Sequence, residues 1–278
     1  MEDLDFVTEP EKKLVYDSAV ARAFFQACGT PVKATKGTTL FVEHTPGDKV
    51  YFIAVGEVAL SLNGKSIDIS RTGEIIGEMS TIVGTLRAAT ATARTDCILI
   101  GLAREQFFDA LRRQPDFALM LMRMMLARLR LALSILRMRG GVGGSEAAAN
   151  TSRVIDDRLL KSIEATLPAN ARSRFPKDRV VLVEGGTGTY MYVVREGSVS
   201  IAIKGKVVEN IGVGGIFGEM SLVDDAPRAA SATATSDCTL LAIDRATFTQ
   251  LIKSNPAFGL ELLKNVSERL RYLNAQRK

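Results

Sequence analysis

The stretch Gly218-Glu219-Met220-Ser221, followed by Pro227-Arg228-Ala229-Ala230-Ser231, decides the fold because the chain contains it twice. Its counterpart, Gly77-Glu78-Met79-Ser80 with Arg87-Ala88-Ala89-Thr90, stands 141 residues earlier in the same order and at the same spacing. In each copy eight residues separate a glutamate from an arginine. A carboxylate accepts hydrogen bonds from hydroxyl groups, and a guanidinium presents a rigid fork of donors to phosphate oxygens. The motif therefore predicts two sites for a ligand with both groups, where small residues let the backbone come close.

The offset of 141 residues continues without a gap beyond the two motifs. It pairs Tyr51 with Tyr192, Gly56 with Gly197, Arg87 with Arg228, Pro115 with Pro256, and Arg128-Leu129-Arg130 with Arg269-Leu270-Arg271. A repeat of this length indicates a duplicated domain, since solenoid repeats are much shorter. Cys97 and Cys238 are also 141 residues apart, which predicts that they occupy the same core position.

The domain boundaries follow from the repeat and from composition. We expect a first domain over residues 1–139, a Gly/Ala-rich linker over 140–150 and a second domain over 151–278. The linker contains Gly140-Gly141-Val142-Gly143-Gly144-Ser145, which is typical of a flexible connection.

Hydrophobic patterning predicts the same series of elements in each copy. A helix opens each copy, near 9–28 and 155–167, and short β-rich runs at 39–42, 50–55 and 58–62 follow it in the first. Asn63-Gly64 and Lys204-Gly205 indicate tight hairpin turns. The residues 91–102 predict a further pair of strands, and helices near 104–114 and 116–138 close the first copy. This order predicts an α+β fold of two tandem β-roll (jelly-roll) domains, each flanked by helices.

The motif closely resembles the phosphate-binding cassette of cyclic nucleotide-binding domains, which occur in the bacterial catabolite activator protein and in the regulatory subunit of cAMP-dependent protein kinase. The resemblance covers nearly the whole chain, twice over, and implies the same β-roll. It also implies a role for each motif residue. Glu78 and Glu219 would accept a hydrogen bond from the ribose 2′-hydroxyl, assisted by the backbone of Gly77 and Gly218.

The remaining motif residues follow from the same resemblance. Arg87 and Arg228 would pair with the cyclic phosphate. The residues whose backbone N–H groups would cap the phosphate oxygens are Ala88, Ala89, Ala229 and Ala230. The predicted ligand-binding set also contains Met79, Ser80, Met220 and Ser221. Because a charge-assisted pair shielded from water is strong, loss of either arginine should cost more affinity than loss of either glutamate.

Each functional assignment has a structural alternative. The glutamates follow glycine at the start of a predicted short helix, where an acid is favoured in any case. Each arginine could form an ion pair with the glutamate of its own motif. The duplication of the whole string and the family resemblance favour the functional assignment, most clearly in the second copy.

The nucleotide is predicted from the residue after each arginine. In cGMP-selective members of the family this residue is often threonine, whose hydroxyl meets the guanine. Here it is Ala88 or Ala229, which favours cAMP over cGMP. The first copy has Leu86 where the second has Pro227, and it therefore lacks a backbone constraint beside the arginine. We expect site one to be weaker or differently tuned.

The helix around 117–138 carries an apolar seam with steps of three and four residues. Its members are Leu119, Met122, Leu126, Leu129, Leu133 and Leu136. The seam predicts a homodimer through paired copies of this helix. The alternative is that the helix is sandwiched between the two domains of one chain. Near the end of the chain, Tyr272 is predicted either to stack on the base in site two or to pack in the core.

Composition limits the function classes. The net charge is +5, but the basic residues are spread along helices, so we expect no nucleic-acid partner. The most apolar stretch, 117–136, contains three arginines, and the N-terminus lacks the pattern of a signal peptide, which predicts a cytoplasmic protein without a membrane partner. His44 is the only histidine, which argues against a cupin-type metal site and against nucleophilic catalysis, and so against an enzyme.

The sequence thus predicts a receptor that binds cAMP at two sites and signals to an unknown partner protein by changing shape. The alternative from another class is a structural or scaffold protein whose motifs are vestigial or bind another anion. A DNA-binding function, which rests only on net charge, comes third.

Overall fold

The computed structural model describes residues 16–138, 155–222 and 226–275. The chain divides into two compact units, Met1–Met124 and Met125–Lys278. The division falls inside the helix Pro115–Met138, earlier than the sequence-based boundary at residue 139. The predicted linker at 140–150 lies outside the described residues, so the sequence-based domain boundaries stay predictions.

The first unit contains eight strands and a short helix inside the first motif. The strands are β1 (Thr30–Ala34), β2 (Thr39–Phe41), β3 (Lys49–Val55), β4 (Glu57–Leu62), β5 (Lys65–Arg71), β6 (Ile75–Ile76), β7 (Thr90–Ala93) and β8 (Cys97–Ala103). The helices are α1 (Ser18–Cys28), α2 (Glu78–Val83), α3 (Arg104–Arg113) and α4 (Pro115–Met138), of which α4 ends in the second unit.

The second unit repeats this series. Its strands are β9 (Arg172–Phe175), β10 (Val180–Leu182), β11 (Tyr190–Glu196), β12 (Val199–Ile203), β13 (Lys206–Ile211), β14 (Ile216–Phe217), β15 (Ser231–Ala234) and β16 (Cys238–Asp244). Its helices are α5 (Asp157–Thr166), α6 (Arg245–Ser254) and α7 (Pro256–Ala275), with 3-10 turns at Ala169–Ala171 and Glu219–Leu222.

Both units have the same sheet topology. The first contains two four-stranded sheets of order β1-β8-β3-β6 and β2-β7-β4-β5, and the second contains β9-β16-β11-β14 and β10-β15-β12-β13. All pairings are antiparallel. Adding eight to each strand number of the first unit gives the second. The predicted α+β fold of two tandem β-rolls flanked by helices is confirmed.

The two cores use equivalent positions. Strand residues that alternate inward are buried at Ile53, Val58, Cys97 and Leu99 in the first unit, and at Val194, Val199, Cys238 and Leu240 in the second. Burial of each such aliphatic side chain contributes about 1.5–3 kcal/mol. Both thiols therefore fill the core position that their spacing predicted.

Aromatic side chains hold the helices of the first unit against its roll. Phe24 on α1 stacks on Phe117 at the start of α4, with ring centroids 3.7 Å apart. Phe107 on α3 meets the edge of Phe24 at 6.0 Å, and Phe25 stacks on Phe52 of β3 at 5.7 Å. Such pairs add about 0.5–1.5 kcal/mol to the burial of the rings. The flanking helices are thus fixed to the sheet that leads into the first motif.

The two hairpin turns are confirmed, and within the described residues the opening helix of the first copy begins later than predicted. Asn63 and Gly64 have φ of 50° and 75°, and Lys204 and Gly205 have 49° and 76°, as a two-residue hairpin requires. Helix α1 begins at Ser18, later than predicted, because the Asp17 carboxylate accepts from the N–H of Ala19 at 2.8 Å and caps the helix there. The predicted part before it, 9–15, lies outside the described residues.

Candidate functional site

The two motifs fold into equivalent turns, which we call site 1 (residues 77–90) and site 2 (residues 218–231). Gly77 and Gly218 have φ of 80° and 78°, a left-handed conformation that only glycine adopts without cost. A Cβ atom on Gly77 would also lie 2.5 Å from Nη1 of Arg87. Glycine is therefore required both for the turn and for the close approach of the arginine.

Each glutamate starts the helical turn that follows its glycine. Glu78 begins the six-residue helix α2, whereas Glu219 begins the four-residue 3-10 turn Glu219–Leu222. Both side chains are buried. The position at a helix start is the one that the sequence predicted, and it is compatible with the capping alternative as well as with ligand binding.

In site 2 the Arg228 guanidinium is buried, with 6% of the residue exposed, and held by neutral oxygens. Its Nη1 donates to the carbonyl of Gly218 at 2.9 Å and to the hydroxyl of Ser221 at 2.6 Å. Its Nη2 donates to the carbonyl of Tyr190 at 2.8 Å. Arg228 thus hydrogen-bonds to its own turn and to β11, and in the described part of the chain it does not form the ion pair with Glu219 that the structural alternative predicted.

Site 1 reproduces this arrangement and adds two contacts. Nη1 of Arg87 donates to the Gly77 carbonyl at 2.8 Å and to the Ser80 hydroxyl at 2.9 Å. In addition, its Nη2 lies 3.8 Å from Oδ1 of Asp48, and its Cζ lies 4.2 Å above the ring of Phe41. A carboxylate and an aromatic face both stabilise a guanidinium.

Both arginines have one buried donor that the described residues do not satisfy. The Nε atoms of Arg87 and Arg228 have no hydrogen-bond partner within the parts of the chain that the structure describes. A buried N–H of a charged group without a partner is costly, so an acceptor at this position is favoured. An acceptor from outside the described residues would satisfy the Nε of each arginine.

Burial lowers the pKa of both guanidinium groups from its ordinary value. For Arg87 the charges of Asp48, Tyr51 and Glu78 oppose the effect of burial, and for Arg228 those of Tyr192 and Glu219 do so. The direction shows that desolvation outweighs the nearby negative charge in each site.

In site 2 a second arginine, Arg269 on α7, holds the glutamate. Its Nη1 lies 3.0 Å from Oε1 of Glu219, and its Nη2 donates to the carbonyl of Ile216 at 2.7 Å and approaches Oε1 of Glu209 at 3.5 Å. Burial acts to lower the pKa of Arg269, but Glu209 and Glu219 outweigh it and raise that pKa. The contact fixes the Glu219 carboxylate and ties the turn to the last helix.

The helices after each roll are also tied to the turns. Arg104, the first residue of α3, donates from Nε to the carbonyl of Thr81 at 2.8 Å. Arg245, at the equivalent position of α6, donates from Nη2 to the carbonyl of Ser221 at 3.2 Å. Each turn therefore has a direct hydrogen bond to the helix that follows its own roll.

Site 2 opens into a cavity of about 130 Å³. The predicted residues that line it are Gly218, Glu219, Met220, Ser221, Arg228, Ala229, Ala230 and Tyr272. Apolar side chains of the roll, such as Leu182, Ile201 and Phe217, form the inner wall. Tyr272 is half-buried on α7 and lies on the same cavity as Arg228. The structure thus brings together all the predicted residues of the second copy.

The predicted residues of the first copy also occupy one turn, but it is more open. Ser80 is buried and Met79 half-buried, as Ser221 and Met220 are in site 2. Ala88, however, is exposed and Ala89 half-buried, whereas Ala229 is buried. The backbone of site 1 next to its arginine is therefore more accessible to water.

Sequence reasoning missed four residues around the sites: Phe41, Asp48, Arg130 and Arg269. The repeat offset pairs Arg269 with Arg128, which indicates a shared role, but it does not identify Glu219 as the partner of Arg269. Phe41 and Asp48 differ from their counterparts, Leu182 and Thr189, and this difference marks the place where the two sites diverge.

Among the described residues, no group of three or more His, Cys, Asp or Glu side chains could hold a metal ion. No helix within the described ranges is both long and apolar enough to span a bilayer.

Among curated proteins, the chain is similar to protein kinases and kinase subunits regulated by cyclic nucleotides. It is 25% identical over 219 residues to a cAMP-dependent protein kinase regulatory subunit of Eremothecium gossypii, covering 78% of this chain and 43% of that protein. It is also 25% identical over 235 residues to a cGMP-dependent protein kinase of Drosophila melanogaster, covering 82% of this chain and 20% of that protein. The chain thus spans less than half the length of each of these relatives.

A solved structure and a family model complete the comparison. The regulatory domain of Toxoplasma gondii PKA in complex with cAMP is 21% identical, with a TM-score of 0.31, and the match covers 98% of this chain and 99% of that one. The family model of the cyclic nucleotide-binding domain matches residues 31–114 and 172–255, which together are more than half of the chain. Each match contains one complete motif, and this chain therefore belongs to the cyclic nucleotide-binding domain family, with two such domains in tandem.

Proposed function

We propose that the chain is a cytoplasmic receptor that binds cAMP at both sites and passes the signal to a partner protein by changing shape. The observation that carries the proposal is the buried arginine of each turn, whose Nε lacks an acceptor among the described residues. A cyclic phosphate supplies one negative charge and acceptor oxygens at that position. The N–H groups of the following alanines add donors for the same oxygens.

The other groups of the ligand fit the rest of site 2. The Glu219 carboxylate, oriented by Arg269, retains lone pairs that can accept a hydrogen bond from a ribose hydroxyl. The apolar wall of the roll suits a purine, and Tyr272 can stack on its face.

The preference for cAMP over cGMP rests on Ala88 and Ala229. Neither residue offers a side-chain hydroxyl that would recognise a guanine beside the arginine. The two curated relatives described above are named for different nucleotides, cAMP and cGMP, so relatedness alone does not choose between them. We therefore expect cAMP to bind more tightly than cGMP at both sites.

A homodimer through the helix around 117–138 remains part of the proposal in a narrower form. Leu126 and Leu129 of the predicted seam are already buried within the chain. Leu131 and Met138 are exposed, at 60% and 79%. A partner copy would therefore have to contact the strip with Leu131 and Met138 rather than the seam.

One observation favours the alternative of a structural protein with vestigial sites. In both turns the Nη atoms of the arginine already donate to protein oxygens, so only part of the guanidinium remains for a ligand. In this alternative the arginines stabilise the turns through these hydrogen bonds, and the turns keep their structure without a nucleotide.

Calorimetric titration separates the two functions. We expect heat with cAMP, weaker binding of cGMP and none of a cyclic dinucleotide. Arg87→Ala and Arg228→Ala should each disable one site, and the double variant should bind cAMP about 100-fold more weakly than either single variant, or less tightly still. The absence of heat with all three nucleotides in the unmodified chain would favour the structural protein. A mobility-shift assay at physiological salt should retain no DNA.

A further inference from the structure

The cavity of site 2 has a wall that the second repeat does not provide. Leu129, Arg130 and Leu133 line it together with the second motif. These residues lie on the last part of α4, the helix that closes the first repeat in sequence and ends in the second compact unit. Leu129 is fully buried there, and Arg130 and Leu133 are partly buried.

Arg130 contacts the turn at the residue before the phosphate-binding arginine. Its Nη1 donates to the carbonyl of Pro227 at 2.9 Å, a contact between residues 97 positions apart. The Pro227 carbonyl belongs to the peptide bond that leads into Arg228. A guanidinium bound to this oxygen limits the rotation of that peptide and so helps to fix the backbone from which Arg228 extends.

Arg130 also adds charge at the anion end of the cavity. Three arginines and two glutamates line the cavity among the described residues, and Arg269 contacts both glutamates. Arg130 and Arg228 both lie at the Pro227–Arg228 peptide, so two guanidinium groups meet at this point of the cavity. Burial lowers the pKa of Arg228, and the charge of Arg130 adds to that effect, as expected for two cations that feel one another.

Site 1 has the opposite arrangement. Within the first unit, the carboxylate of Asp48 lies 3.8 Å from Nη2 of Arg87. An anionic ligand competes there with an acid, whereas in site 2 it meets a second base. The two sites should therefore differ in affinity and in their response to salt.

We propose that Arg130 is a positioning residue of site 2: it fixes the peptide that carries Arg228 and supplies a second positive charge for the phosphate. The proposal rests on the proposed function of this site. We therefore expect site 2 to bind cAMP more tightly than site 1 and to be more sensitive to ionic strength. We also expect the second site to be incomplete without the closing helix of the first repeat.

The test uses the full chain with Arg87→Ala, so that only site 2 can bind. In this background we compare Arg130→Ala, Arg130→Lys and the control Arg123→Ala by titration with cAMP at low and high salt. Arg123 is exposed two turns earlier on the same helix. We expect Arg130→Ala to weaken binding roughly tenfold at low salt, with a smaller difference at high salt because the charge is screened. Lysine should recover most of the affinity, and Arg123→Ala should have no effect.

Three outcomes would overturn the proposal in distinguishable ways. If Arg130→Ala and Arg123→Ala bound cAMP equally well, the role proposed for Arg130 would be wrong, whereas the function proposed for site 2 would stand. Equal, salt-independent losses with Ala and Lys would indicate packing instead of charge. No cAMP binding by the Arg87→Ala chain itself would overturn the function proposed for site 2. A parallel series in the Arg228→Ala background monitors folding, since Arg130→Ala should leave binding at site 1 unchanged there.

Discussion

Sites 1 and 2 contain the same glycine, glutamate, serine and arginine, but their surroundings differ. Arg87 lies over the ring of Phe41 and near the carboxylate of Asp48. The equivalent positions of site 2 are Leu182 and Thr189, and neither can offer a π face or a charge. Duplication kept the residues that make the turn and changed the groups around them. We therefore expect neighbours outside the motif to set the difference in affinity between the two sites.

The shape of the turn differs as well. In site 1 the turn continues into the six-residue helix α2, and the exposed Leu86 precedes Arg87. In site 2 the helical turn has four residues, and Pro227 precedes Arg228. Proline fixes φ and so reduces the freedom of the chain before Arg228. This difference agrees with the expectation that site 1 is differently tuned.

The largest expected effect comes from the arginine that holds Glu219. Arg269→Ala would leave a buried carboxylate without its cation, which costs about 3–5 kcal/mol of unfolding free energy. The matched control is Arg128→Ala at the equivalent position of the first repeat, where the residue is exposed. Denaturant unfolding of both variants measures the difference. Equal losses of unfolding free energy in Arg269→Ala and Arg128→Ala would show that the two positions have the same role, and the contrast drawn between the two sites would then be wrong.

Removal of the arginines of the two turns should come next. Arg228→Ala, added to the Arg87→Ala chain, should weaken cAMP binding at site 2 about 100-fold or more, because a charge-assisted contact in a buried site is lost. Arg87→Ala, added to the Arg228→Ala chain, should weaken binding at site 1 by a similar factor. Glu78→Gln and Glu219→Gln should cost only about tenfold. Titration calorimetry gives the four values, with circular dichroism as the check on folding. A greater loss with the glutamate variants would reverse the assigned roles.

The aromatic residue of the last helix should have an intermediate effect. Tyr272→Ala should weaken cAMP binding at site 2 by about 1–3 kcal/mol, the value of stacking a base on an aromatic ring. Tyr272→Phe keeps the ring and should retain the affinity. The measurement is the same titration with site 1 disabled. If alanine and phenylalanine bind equally well, Tyr272 packs in the core and does not cover the base.

The smallest effect concerns the acid beside Arg87. Asp48→Asn should raise the affinity of site 1 for cAMP by less than about 1 kcal/mol, since Asp48 is 75% exposed and its pairing is screened. The reciprocal change, Thr189→Asp, should lower the affinity of site 2 by a similar amount. Both effects should fade at high salt. If the affinities of Asp48→Asn and Thr189→Asp equalled those of the unmodified sites, Asp48 would not compete with the ligand.

The sequence predicted the features that depend on local pattern or on the repeat. The hairpin turns at Asn63 and Lys204, the core position shared by Cys97 and Cys238, and the turn after Gly77 all follow from residue types with narrow preferences. The duplication strengthened each prediction, because a pattern that occurs twice at one offset is unlikely to be accidental.

The contacts between distant elements could not be predicted in the same way. Arg269 reaches Glu219 across 50 positions, and Arg130 reaches Pro227 across 97. A charged residue beside an apolar helix seam is usually solvated, so nothing local showed that these side chains lie at the cavity. The 3-10 form of the second turn was missed for a related reason, since it depends on packing and not on helix propensity.

The last part of α4 has a consequence for anyone who divides this chain into fragments. A cut at the repeat boundary, near residue 140, would give a C-terminal piece that lacks Leu129, Arg130 and Leu133 and whose pocket is open on one side. A start at Met125 would keep these residues with the roll they contact. Fluorescent reporters and crystallisation fragments based on the second domain should therefore begin inside the helix and not after it.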